Sequence, residues 1–293
     1  SFSLMDNTCQ SYFDLLYNWG NCYLHLSKRV SESKNIEEYL LKACEKYELA
    51  TKAQKATKAF RNWGAVLSKL ARIQKDLLEA EKIFILAEEK FKSSLTGTSE
   101  DSEVYFNWGN VHYHRAHNAA SQEQYRKAFQ QLVYAGEKYM ASIECGYNRD
   151  ALVNWGKVLN LQVYLNPVDH PPNYSLPFCV ELYLAIFLSI SKNEDRSLGL
   201  SLKPVLGLAR ANNKEISSKA IDCLQKLTMS SNSLLKEEAE RALRIAEKTI
   251  ESISKKKLAK QNSSPRHPSI SIFLDKLEAT RTGPLVEKTK HKK

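Results

Sequence analysis

Residues 60–91 read FRNWGAVLSKLARIQKDLLEAEKIFILAEEKF, and the way the rest of the chain repeats them decides the fold. The tripeptide Asn-Trp-Gly occurs at Asn18-Trp19-Gly20, Asn62-Trp63-Gly64, Asn107-Trp108-Gly109 and Asn154-Trp155-Gly156. The spacings are 44, 45 and 47 residues, and these are all four Trp of the chain. A second element, Ala-x-Glu-Lys-(Tyr/Phe), follows the first three copies at Ala43–Tyr47, Ala87–Phe91 and Ala135–Tyr139. A small residue stands three places later each time, at Ala50, Ser94 and Ser142. Two linked elements recurring in one order establish an internal repeat.

Each repeat reads as two helices. Phe60, Trp63, Val66, Leu67 and Leu70 in the second repeat, and Leu152, Trp155, Val158 and Leu159 in the fourth, form the stripe of an amphipathic helix. Gly20, Gly64, Gly109 and Gly156 lie inside these helices, where Gly costs about 1 kcal/mol against Ala. Its recurrence at one face position is explained by close approach of a neighbouring helix. The four Trp are expected to pack as core at the helix–helix contacts, with the preceding Asn facing a neighbouring backbone or a groove. The second element falls on helices over 36–53, 77–94 and 124–144. Its Ala and Tyr/Phe share a face, and the Glu and Lys between them are expected to face solvent. The connections 28–35, 96–102 and 146–149 are short and polar, with Thr98, Ser99 or Ser102 as the cap of the third repeat. The expected result is a stack of antiparallel helix pairs, each needing a neighbour to bury its apolar face.

This pattern resembles the tetratricopeptide repeat (TPR), whose first helix carries an Asn-Leu-Gly-Asn core and whose second carries a small residue and then an aromatic. The chain has Asn-Trp-Gly there, with Asn21 and Asn110 following, and a longer period than the family's 34 residues. It is similar to elongated, Trp-containing TPR-like arrays of plants and protists. The resemblance covers residues 10–192, with repeats at about 10–53, 54–97, 98–146 and 147–192. It implies an all-α, right-handed superhelical solenoid of TPR-like helix pairs.

The fourth repeat is altered. A proline-rich loop, 167–177, precedes the apolar stretch LPFCVELYLAIFLSI (176–190). That stretch falls short of the ~18–20 apolar residues of a spanning helix and contains Glu181, so it reads as a buried core helix. Residues 193–253 read as a helical capping bundle of armadillo-like character, with helices at about 197–211, 214–230 and 232–253 and Pro204 starting or kinking one of them. Residues 254–293 carry +8 of the net charge of +10 and read as a basic, mostly disordered tail. The nearly neutral remainder argues against a dedicated nucleic-acid-binding domain. With ten Gly and eight Pro in 293 residues, the chain also lacks the turn chemistry of sandwiches, barrels and doubly wound sheets.

Nothing in the sequence points to catalysis. There is no Gly-rich phosphate loop, no His-Glu-x-x-His and no Gly-x-Ser-x-Gly. His114 and His117 share a helix face while His112 does not, and no third ligand accompanies them, so no metal is expected. The six Cys form no Cys-x-x-Cys pair and read as reduced thiols. No cofactor and no small-molecule substrate is expected.

By the TPR resemblance, the first helices line a concave groove. Its polar and aromatic positions include Tyr17, Asn21, Lys58, Arg61, Lys69, Phe106, Asn110, Tyr113, His114 and Lys157. Three cations in the second repeat suit a peptide bearing an acidic or C-terminal carboxylate group. The family's clamp for chaperone tails is not reproduced, since Glu103 and Asn107 stand where it needs bases. The expected function is a non-catalytic, cytoplasmic protein–protein interaction scaffold that binds a partner peptide in this groove. The alternatives are an RNA- or ribonucleoprotein-associated factor using the basic tail, which would also suit a membrane surface or a nuclear address, or the non-catalytic segment of a larger enzyme.

Overall fold

The computed structural model describes residues 2–53, 57–96, 100–165, 175–191, 201–211, 213–230 and 232–259. Among them are eleven helices and no strand. They are α1 (Phe2–Ser27), α2 (Ser33–Ala53), α3 (Thr57–Ile73), α4 (Leu77–Ser94), α5 (Ser102–Ser121), α6 (Tyr125–Cys145), α7 (Arg149–Leu165), α8 (Leu176–Ser191), α9 (Lys203–Ala209), α10 (Lys214–Leu227) and α11 (Ser233–Ala259). The described residues form an all-helical structure, and neighbouring helices pack in sequence order, as in an all-α solenoid. The chain divides into two bodies. One is Ser1–Ala119 with Arg126–Val158, and the other is Ala120–Tyr125 with the described residues from Leu159 onward.

In the first body the two sequence elements interlock twice within each repeat. A Cβ on Gly20 would lie 2.8 Å from Tyr47 Cε1, one on Gly64 2.8 Å from Phe91 Cε1, and one on Gly109 2.6 Å from Tyr139 Cε1. The repeated Gly therefore leaves room for the repeated aromatic ring of its own hairpin. That ring is fully buried in all three repeats. The second interlock corrects the solvent-facing reading of the motif lysines. Lys46 sits 4.5 Å from the centroid of Trp19, Lys90 4.1 Å from Trp63 and Lys138 4.1 Å from Trp108. The lysine stem runs back across the indole while its charge meets the ring's negative face. Glu45, Glu89 and Glu137 remain exposed.

The Trp residues differ along the array. Trp108 and Trp155 are buried, Trp63 is half-buried against the clusters around Phe91 and Tyr47, and Trp19 is exposed. Gly156 is buried. The third repeat is capped by Asp101, whose Oδ1 accepts from Glu103 N at 3.0 Å and Val104 N at 3.1 Å. Ser102 is engaged elsewhere, donating from Oγ to the Ser142 carbonyl at 2.8 Å, while Ser142 donates to the Ser102 carbonyl at 2.7 Å. Thr98 and Ser99 lie outside the described residues.

In the second body α10 packs against α8, α9 and α11. Its core is built from Val180, Tyr183 and Phe187 of α8, Ile216, Ala220 and Leu224 of α10, and Ala239 and Ala246 of α11. The apolar stretch of the fourth repeat is thus a core helix. No described helix is long and apolar enough to cross a membrane. Pro204 stands in the first turn of α9, where its missing N–H costs nothing. Asn213 caps α10 by accepting from Ile216 N at 3.2 Å. α11 runs to Ala259, past the boundary expected at 253, through the helix formers Lys255, Lys256, Lys257, Leu258 and Ala259. Residues 260–293 of the basic tail and 166–174 of the proline-rich loop lie outside the described residues.

Candidate functional site

The ten candidate residues lie on the first helices, α1, α3, α5 and α7. Several of them are built into the joints between repeats. Asn21 Oδ1 accepts from Tyr47 Oη at 2.7 Å and from Asn62 Nδ2 at 3.0 Å, and Asn62 also donates to Tyr17 Oη at 3.0 Å. Two joints later the pattern returns: Asn110 Oδ1 accepts from Tyr139 Oη at 2.8 Å and from Asn154 Nδ2 at 3.1 Å. The Asn of one Asn-Trp-Gly thus donates to the Asn that follows the preceding repeat's Gly. The second repeat breaks the rule coherently. Ala65 replaces the acceptor Asn, Phe91 replaces the donor Tyr, and Asn107 turns back to donate to the Glu103 carbonyl of its own helix at 3.0 Å.

The aromatic candidates are likewise packed. Tyr17 stacks on Phe13, Phe106 tilts onto Tyr139 with centroids 6.1 Å apart, and His114 lies between Phe84 and Tyr113. Lys157 donates to Asn154 Oδ1 at 3.0 Å. Among the cations of the second repeat, Lys58 lies 6.0 Å from the Tyr17 ring centroid. Arg61 is shared between Asp101 and Glu103, at 3.2 Å each.

Lys69 is different. It is half-buried, and among the described residues no carboxylate forms an ion pair with it. Burial pulls its ammonium down to about 8, and the like charges of Lys28 and Arg72 push in the same direction. Burying a cation beside other cations is unfavourable unless an anion joins them. Lys28 follows the end of α1 and Arg72 lies in the last turn of α3. Neither is marked by the repeat pattern, because the three charges meet only when α1 and α3 are placed together.

A second polar cluster went unread in the sequence. Arg115 of α5 donates to both oxygens of Glu81, at 3.1 and 2.8 Å, and to Glu88, with Lys127 at 3.4 Å from Glu81. His112 Nδ1 pairs with Gln131 Oε1 at 2.9 Å and lies 3.7 Å from Glu88. Burial alone would raise the Glu81 carboxyl, but the hydrogen bond and charge of Arg115 hold it below its ordinary value. Burial lowers the His112 imidazole despite Glu88, so the ring is neutral near pH 7. The available signal was Arg115 itself, a cation at the stripe position that Leu70 fills one repeat earlier. The cluster ties α4 to α5 and α6. Among the described residues no group of three or more His, Cys, Asp or Glu is placed to hold a metal ion. No protein-family model matches the chain, and no curated protein matches it.

Proposed function

We propose that the chain is a non-catalytic cytoplasmic scaffold, a right-handed TPR-like array whose first-helix face binds an acidic segment of a partner protein. The observation that carries this reading is Lys69, a half-buried ammonium with like-charged neighbours and no ion-paired carboxylate among the described residues. An acidic side chain or C-terminal carboxylate placed there would relieve a repulsion that the fold maintains. Arg61 is the weaker candidate, because Asp101 and Glu103 already compensate it.

The test is the affinity of a fluorescent Glu-rich peptide for the full chain, measured at pH 7 and pH 9. A carboxylate partner favours the charged lysine. Affinity is therefore highest below about 8 and declines as pH rises through that value. Lys69→Arg keeps its charge and loses the decline, while Lys69→Ala weakens binding at pH 7 by about tenfold. Equal binding by Lys69→Ala refutes the site and leaves the basic tail as the source of any affinity.

A further inference from the structure

The internal repeat shows what each first helix meets on the side of the preceding repeat. Relative to the Trp, that side is formed by the residues four before, three after and seven after. In α3 these are Ala59, Val66 and Leu70, all buried, with Trp63 half-buried. In α5 they are Val104 and Val111, buried with Trp108, and then Arg115, which is locked to Glu81 and Glu88 of α4. In α7 Ala151, Trp155 and Val158 are buried. The helix that faces this side is the second helix of the preceding repeat. Cys44 and Trp63 pack into the same clusters, and Gly136 lies against Trp155, where a Cβ would meet Nε1 at 3.3 Å.

In α1 the same register is bare. Leu15 is 59% exposed, Trp19 45% and Leu26 40%, Cys22 is exposed, and Tyr12, one turn further on, is 54% exposed. The spacing 12, 15, 19, 22, 26 is the 3-4-3-4 seam by which one helix packs along another. It is an apolar stripe on a water-facing helix, of a kind that marks an interaction surface.

We infer that this stripe of α1 is a docking surface for an amphipathic helix of a partner protein, one with the pattern of this chain's own second helices. Two further observations specify the occupant. The exposed side of α1 carries His25 near its end, with Lys28 and Arg29 just past it, and the described carboxylate of this helix, Asp14, stands three turns earlier, paired with Gln10 at 3.0 Å. Where second helices meet the next repeat, α2 and α4 place a glutamate ten residues before their motif aromatic. Glu37 accepts from Gln74 at 3.0 Å, and Glu81 holds Arg115. Glu37 and Glu81 also stand seven residues, two helical turns, before Cys44 and Glu88, the positions that face the next repeat near its Trp. The occupant is thus an antiparallel helix with a small or apolar stripe over Leu15 and Trp19 and a glutamate near its N-terminal end, reaching the cations that close α1. This surface shares Lys28 with the Lys69 site, but its apolar stripe does not depend on that site.

The probe is a synthetic peptide of residues 77–94, the α4 sequence, added to the full chain and followed by calorimetry and by acrylamide quenching of Trp19. One-to-one binding that protects Trp19 is expected. Leu15→Lys in the protein should weaken it by about tenfold or more, and the Glu81→Lys peptide should bind more weakly, most clearly at low salt. Leu15 is exposed, so the variant folds, and unchanged far-ultraviolet circular dichroism checks this. Two results overturn the inference. One is peptide binding that is absent up to about 1 mM or indifferent to Leu15→Lys. The other is a dimer of the full chain in sedimentation equilibrium that Leu15→Lys dissolves, which would assign the stripe to a second copy of this chain.

Discussion

Substituting Gly109 by Ala sets two known effects against each other, and the structure decides the sign. Helix propensity favours Ala over Gly inside a helix by about 1 kcal/mol. Against this, the new Cβ would lie 2.6 Å from Cε1, 2.7 Å from Cδ1 and 3.1 Å from Cζ of Tyr139. Relief requires the ring to retreat by about 1 Å from non-bonded contact. It has nowhere to go, since Tyr139 is fully buried and its hydroxyl is tied to Asn110 at 2.8 Å. Overpacking costs about 1–3 kcal/mol, and a ring held this tightly puts the cost in the upper part of that range, about 2–3 kcal/mol, so the net expectation is a loss of about 1–2 kcal/mol once the propensity gain is subtracted. Gly146→Ala is the control, because no atom lies within 4 Å of its added Cβ, and a surface change of that kind stays within about 0.5 kcal/mol. The assay is urea unfolding followed by circular dichroism, comparing midpoints at equal slope. Gly109→Ala combined with Tyr139→Leu separates clash from cavity. If the clash is the cause, the double variant is more stable than the sum of the single losses by about 1 kcal/mol. A Gly109→Ala protein as stable as the parent would refute the account of why Gly recurs in the motif.

Three other outcomes follow from the joints. Phe91→Tyr buries a hydroxyl opposite Ala65 and should cost about 1–3 kcal/mol. Adding Ala65→Asn restores the acceptor found at Asn21 and Asn110 and should recover most of that loss, as read by the unfolding midpoint. Arg115→Leu installs the residue present one repeat earlier, yet it strands Glu81 and Glu88 and should cost about 3 kcal/mol in the same assay. The His112 imidazole is lowered by burial, so below about pH 6.5 the unfolded chain takes up a proton that the folded chain resists. Stability should therefore decline as pH falls through that region, and His112→Gln should flatten the decline in thermal melts between pH 7 and 5.

The repeat was legible because its marks are rare residue types at fixed spacing. Four Trp each followed by Gly announce both the helices and the close approach between them. The identity of the approaching group was not legible. It lies 27 to 30 residues away on another helix, and only the packed hairpin joins Gly20 to Tyr47 or Gly109 to Tyr139. The lysines were misread for a related reason. A Lys one residue before a buried aromatic points about 100° away from it, which suggests solvent, but its four-carbon stem reaches back to the Trp of the paired helix. The cap of α5 was placed on hydroxyl residues because three lay near, while Asp101 has the geometry and Ser102 is engaged by Ser142. The pattern placed the candidate binding residues on the first helices. It could not separate Lys69 from Arg61, because the charges that isolate one and neutralise the other come from Lys28, Asp101 and Glu103, in neighbouring repeats.

The joints show how a regular repeat can carry distinct physical properties along its length. Between α2 and α3 and between α6 and α7, adjacent repeats are linked by an amide–phenol network with no formal charge, Asn21–Tyr47–Asn62 and Asn110–Tyr139–Asn154. Between α4 and α5 that network is deleted at both ends, by Ala65 and Phe91, and polar linkage passes instead to Arg115, Glu81 and Glu88 with His112 beside them. An apolar replacement would have sufficed for packing, as Leu70 shows at the position of Arg115. An ionic joint differs from an apolar one in two respects. It tolerates no single deletion, because each removal strands a buried charge. It also responds to proton activity, because burial lowers the titration of His112 while Arg115, against burial, holds that of Glu81 below its ordinary value. Acid should therefore loosen the middle joint before the two neutral joints that flank it.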